Sequence, residues 1–206
     1  MTRRGKTNER WVREVLGDRD YEEFQVFKKI KWVGPFSIDD LLNNCLDDSS
    51  AKPPESHSVY LVSRKSWVKH PSPADLPLYV GSTTGKTSRF RTRIGDMIID
   101  AFGFFQDDTG HSSGGISLHQ YCLENGLNPK AFYVGWLANC GCTRCAEYYF
   151  WDFLKPMLNK NRPPKCNEHR TWKDMYSAIM GGGITMGIKG RENEKAVSLR
   201  CSAKAG

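Results

Sequence analysis

Two groups of residues in this chain have types and spacings that chemistry can use. The first is soft. Cys140, Cys142 and Cys145 fall within six residues, and Cys166 and His169 follow as C-x₂-H. Thiolates and imidazole are the usual ligands of a tetrahedral zinc. Cys140, Cys142, Cys145 and Cys166, or His169 in place of one of them, are therefore candidate Zn²⁺ ligands. Free reduced cysteines are the competing reading, because the spacing differs from that of common zinc ribbons. The second group is hard: Tyr60 in SVY, Tyr79 in YVG, Arg89 shortly after, Glu147, and Asn159 at the end of KPMLN. A carboxylate can anchor a hard divalent cation, and a guanidinium can clamp a phosphate. A phenol can give up its proton where positive charge favours the ionised form.

The segment GSTTGKT at residues 81–87 follows an apolar run and opens a helical pattern, where a phosphate-binding P-loop would sit. That motif needs four residues between the first Gly and the Gly-Lys pair. Here Ser82, Thr83 and Thr84 are the only ones present. Consecutive amides must curl round the phosphate, so the missing residue argues against an NTPase.

The ordered second group resembles the GIY-YIG nuclease family. SVY takes the place of GIY and YVG that of YIG. The interval from Tyr79 to Arg89 is similar to the family's, as is that from Glu147 to Asn159. The resemblance covers roughly residues 58–165 and is most like the small type II restriction endonucleases. Three features depart from the pattern. Ser58 replaces the first glycine, the loop between the tyrosines is longer, and Arg93 stands where the family often has His or Tyr.

The resemblance implies a metal-dependent DNA endonuclease with Tyr60, Tyr79, Arg89, Arg93, Glu147 and Asn159 at its site. Phosphodiester hydrolysis needs an activated water, relief of charge on the transition state and help for the leaving oxygen. Glu147 would hold Mg²⁺ or Mn²⁺ for the last two. One tyrosine, with Tyr79 favoured, would activate the water. Arg89 would clamp phosphate. Arg93 lies one turn further on the same helix face, where ion pairing with Asp96 and Asp100 is the plainer alternative. Asn159 would orient groups near Glu147 or bind backbone, and His111 in a loop is a further proton carrier to consider. The expected partner is double-stranded DNA, met by a homodimer. Two alternatives remain: a homing or repair-type nuclease of the same family, and a DNA-binding module without catalysis.

The elements that would position these residues follow from hydrophobic spacing. Phe24, Phe27 and Ile30 mark one helix, and Ile38, Leu41, Leu42 and Cys45 another. SVYLVS and LPLYVGS read as strands of a hairpin with a long connection, and AFYVGWLA as a third strand. Phe90, Ile94, Met97, Ile98 and Ala101 stripe a helix from Thr87 to Ala101. SLHQYCLEN, ending at Gly126, is a short helix. TRCAEYYFWDFLKPM carries Glu147, and TWKDMYSAIM starts at a Thr171 cap. The expected fold is a small α/β domain with a short, mostly antiparallel sheet flanked by helices. The expected organisation is an N-terminal helical extension over 1–57, the nuclease domain over 58–165 and a C-terminal extension over 166–206.

The whole chain has 206 residues and a formal net charge of +7, a balance that favours an anionic partner. No apolar run approaches a membrane span, and the basic N-terminus has no apolar stretch behind it. A cytoplasmic, reducing location without membrane association is expected. An odd count of seven cysteines, unevenly spaced, argues against a disulfide framework.

Overall fold

A computed structural model describes residues 21–43, 53, 57–83, 90–105 and 112–181. Residues 21–27 form helix α1. Strand β1 (Trp32–Ser37) and helix α2 (Ile38–Asn43) follow, then strands β2 (Val59–Ser63) and β3 (Pro77–Ser82). Helices α3 (Phe90–Ala101) and α4 (Ser113–Asn125) precede β4 (Tyr133–Leu137), α5 (Thr143–Leu154) and α6 (Trp172–Ile179). The strands make one four-stranded sheet in the order β1-β4-β2-β3, with every neighbouring pair antiparallel. The fold is thus α/β with an antiparallel sheet flanked by helices. Among the described residues, no helix is long and apolar enough to cross a membrane.

Every residue of β2 is buried, because helices cover both faces of the sheet at this central strand. That explains why SVYLVS is apolar without alternation. Side chains still alternate between the faces. Val59, Leu61 and Val80 join Ala146, Phe150 and Leu154 of α5 and Ile179 of α6 in one core. Tyr60, Val62, Val134 and Trp136 join Ile94 and Met97 of α3 and Leu118 of α4 in the other. Phe27 and Ile30 belong to the first core, and Ile38 and Leu41 to the second.

The sheet contains a strand that the spacing of apolar residues does not reveal. β1 lies at an edge of the sheet and pairs with β4 through a register shift between Val33 and Phe36. Gly34, at φ +90°, and Pro35 interrupt its apolar run. Pro and Gly are tolerated at an edge bulge, where ladder hydrogen bonds are already missing. Part of the segment expected to be a purely helical extension therefore completes the sheet. At the other end, Cys166, Met175, Tyr176 and Ile179 sit in the first core.

Two helix boundaries also differ from expectation. α5 stops at Leu154, short of Met157, because Lys155 caps it in the left-handed conformation and Pro156 cannot continue the helix. α4 begins at Ser113, earlier than SLHQ, with the Ser112 hydroxyl accepting from the Gly115 amide as N-cap. Gly114 and Gly115 weaken the helical signal in that first turn. They are there for proximity: a Cβ on Gly114 would meet the Tyr79 ring, and one on Gly115 would meet Asp100. Other boundaries agree with the sequence reading. Gly126 caps α4, and Thr171 caps α6 in a reciprocal pair with Asp174.

Candidate active site and cysteine cluster

β3 is the outer strand on its side of the sheet, and its free edge is occupied by the chain that leaves α5. Met157 and Leu158 donate their amides to the carbonyls of Pro77 and Leu78. Asn159 continues the pattern with its side chain: Oδ1 accepts from the Val80 amide at 2.8 Å, and Nδ2 donates to the Val80 carbonyl at 2.8 Å. Of the two roles expected for Asn159, the structure displays backbone binding. The amide side chain imitates one more residue of a paired strand.

Beside this seam lies a cleft of about 500 Å³. Tyr79, Ser113, Gln120, Glu147 and Asn159 line it, and the chain from Lys160 to Pro164 forms a wall. Tyr79 reaches the cleft from the α4 side of the sheet, with its hydroxyl 3.4 Å from that of Ser113. Glu147 reaches it from α5. Ser82, on the α5 side of β3, donates its hydroxyl to Glu147 Oε2 at 2.7 Å. Strand alternation gives this division of labour, since Val80 and Ser82 face α5 while Tyr79 and Gly81 face α4.

Tyr60 stands behind the cleft. It is fully buried, with its ring centroid 6.1 Å from that of Tyr79. It pairs in register with Gly81, and a Cβ there would come within 2.6 Å of the Tyr60 ring. The glycine of YVG is thus the space that the tyrosine of SVY fills. Burial pushes the Tyr60 phenol far above its ordinary value, and Tyr79 adds to the push. Arg93 opposes it, while Glu147 reinforces it.

The Glu147 carboxyl is also raised, chiefly by burial, with the Ser82 hydrogen bond and Arg93 pulling the other way. The charge of Arg93 thus bears on both Tyr60 and Glu147. Ser58, where the motif has glycine, donates to the Leu137 carbonyl at 3.1 Å and ties β2 to β4. Tyr79, Glu147 and Asn159 thus line one cleft, Tyr60 stands behind it, and the charge of Arg93 reaches Tyr60 and Glu147. Arg89 and His111 lie outside the described residues.

Reading by residue type misses Ser82, Ser112 and Ser113. Ser112 had a usable signal, a serine just ahead of a helix. Ser82 had none, because its role depends on where α5 packs. Asp100 is buried and accepts from the Ser112 amide.

The cysteine group closes into a cluster, with one change of member. The ligand atoms of Cys142, Cys145, Cys166 and His169 all lie within 4.8 Å of one another, so these four residues could hold a metal ion such as zinc. Cys142 is the N-cap residue of α5, and Cys145 lies in its first turn. His169 Nδ1 is 3.2 Å from Cys145 Sγ and 3.3 Å from Cys166 Sγ. Cys140 does not belong to the group. It precedes the turn at Gly141, whose amide is held by the Ile179 carbonyl at 2.8 Å, and its thiol is pushed up to about 12 by burial and by Cys142. His169 takes the place expected of Cys140. Comparison with known protein families, curated proteins and solved structures finds no match for this chain.

Proposed function

We propose that this protein is a metal-dependent endonuclease of the GIY-YIG type that hydrolyses phosphodiester bonds in double-stranded DNA. The observation that carries this reading is the convergence at one cleft of Tyr79, Glu147 and Asn159, with Arg93 and Tyr60 in electrostatic reach. These residues come from β2, β3, α3, α5 and the chain after α5, and their types are those that phosphoryl chemistry uses.

Glu147 and the hydroxyls of Tyr79, Ser113 and Ser117 offer the oxygen donors a hard cation needs, while Lys160 and Arg162 in the same lining suit a phosphate. Glu147 would hold Mg²⁺ or Mn²⁺ there, which would supply charge relief to the transition state and the leaving oxygen. Ser82 opposes the rise of the Glu147 carboxyl and, through its hydrogen bond, holds one carboxyl oxygen in place. Arg93 balances negative charge beside it. Tyr79 is the better placed of the two phenols to take a proton from water, because it lines the cleft while Tyr60 is sealed behind it. Tyr60 acts as a positioning residue. Restriction-type cutting of both strands would most simply use a homodimer.

Glu147→Gln tests the reading. The substitution keeps size and removes the charge that holds the cation. Incubated with supercoiled plasmid and Mg²⁺, the native protein should cut and the variant should not, while both retain DNA binding in a gel-shift assay. Near-native cleavage by the folded variant would refute the assignment. Binding without cleavage by the native protein would point to the inactive module instead.

A further inference from the structure

From the cysteine cluster we infer that Cys142, Cys145, Cys166 and His169 bind one structural zinc ion, which anchors the 157–164 wall of the cleft. The zinc site is independent of whether the cleft is a nuclease site.

Donor chemistry is the first support. Three thiols and an imidazole form a soft set that suits a tetrahedral ion and serves Mg²⁺ poorly. Spacing is the second. With Zn–S near ~2.3 Å and Zn–N near ~2.0 Å, neighbouring tetrahedral ligand atoms stand roughly 3.5–3.8 Å apart. The two sulfur–nitrogen separations here, 3.2 and 3.3 Å, are already close to that, and the whole group, within 4.8 Å, would draw in by about 1 Å at most to close round the ion. Burial is the third. All three cysteines are buried, which confines their sulfur atoms to this arrangement. Selectivity is the fourth. Cys140 and Cys122 are also described, and neither joins the cluster.

The position in the chain gives the site its role. Cys142 and Cys145 lie at the start of α5, and Cys166 and His169 lie just ahead of α6. Between them run the rest of α5 and the 157–164 segment that pairs with β3 and walls the cleft. That segment is fixed at one end by α5 and at the other by the cluster. Glu147 follows Cys145 by two residues, so the same ion would also steady the first turn of α5, on which the turn that carries Glu147 builds.

The test uses the full chain, purified under reductant without metal-affinity resin. Elemental analysis should find about one equivalent of zinc. Exchange for Co²⁺ should give the absorption of a tetrahedral thiolate site. Cys145→Ser and Cys166→Ser should lower the zinc content at least ~10-fold, while Cys140→Ser and Cys122→Ser leave it unchanged. His169→Cys should retain zinc, since a fourth thiolate completes the same geometry; this arm remains decisive if the serine variants fail to fold. In chelator-stripped protein, amide exchange should quicken over residues 155–170 while β2 and β4 stay protected.

Zinc below about a tenth of an equivalent after dialysis against Zn²⁺ would overturn the site. So would equal zinc loss from Cys140→Ser and Cys145→Ser, or a Cys145–Cys166 disulfide that persists in protein purified under reductant. Unchanged exchange over residues 155–170 on stripping would overturn the anchoring role.

Discussion

Removing the Ser82 hydroxyl should show how far its hydrogen bond holds the Glu147 carboxyl down. Burial raises the carboxyl, and the hydrogen bond from Ser82 and the charge of Arg93 lower it. In Ser82→Ala one opposing influence is gone, so the carboxyl should rise further. The acid limb of cleavage should then move to higher pH, with the rate at alkaline pH little changed. A pH–rate profile superimposable on the native one would contradict this. Glu147→Gln carries a linked expectation for stability without divalent metal. A carboxyl raised by folding favours the fold below its ordinary value, and that share is lost as pH rises through the raised value. The variant should therefore melt no lower than the native protein near neutral pH, which a thermal scan in chelator checks. The sequence order singled out Tyr79, Glu147 and Asn159, which the structure places along one cleft, while Arg89 lies outside the described residues. Ser82 was not legible, because nothing in a serine at a strand end announces the helix it will face.

Asn159 belongs to the scale of elements, since its two hydrogen bonds extend β3 by a side chain. In Asn159→Ala the Val80 amide and carbonyl lose their partners at the edge of the sheet. Each neutral hydrogen bond contributes about 0.5–1.5 kcal/mol, so a loss of roughly 1–3 kcal/mol is expected. The denaturant midpoint should fall accordingly, and an unchanged midpoint would mean that water replaces the amide at no cost. Elements with a clean apolar period were legible: β2, β3, β4, α3, α5 and α6 are all where spacing puts them, to within their ends. β1 and the first turn of α4 were not, and they share a cause. β1 holds Gly34 and Pro35, and α4 opens on Gly114 and Gly115. In each case glycine or proline answers a tertiary demand, a bulged edge or a close approach to Tyr79 and Asp100, and so erases the local signal.

At the scale of the whole molecule, the long connection between β2 and β3 ties the sheet to the helices through His70. The imidazole packs edge-on to Phe24 and Phe153, at 6.3 Å from each, and lies 5.8 Å from Phe150 of α5. Its Nδ1 is 2.8 Å from the Pro71 carbonyl. Burial pushes its pKa down to about 4, and Lys28 adds to the depression, while hydrogen bonds to backbone and the charge of Asp75 oppose it. The folded protein therefore holds His70 neutral where the unfolded chain would protonate it at an ordinary value near ~6.5. Between those two values the unfolded state binds more protons, so stability is fully present above the upper one and is lost as pH falls through the window. A tenfold change in proton affinity corresponds to about 1.4 kcal/mol, so the loss on acidification from this residue approaches roughly 3 kcal/mol. His70→Phe keeps an aromatic ring among Phe24, Phe150 and Phe153 and removes the proton site. Urea denaturation at a series of pH values from neutral downwards should show a steeper fall for the native protein than for the variant. Parallel curves would mean that the carboxylates alone govern acid unfolding and that His70 is as readily protonated in the fold as outside it.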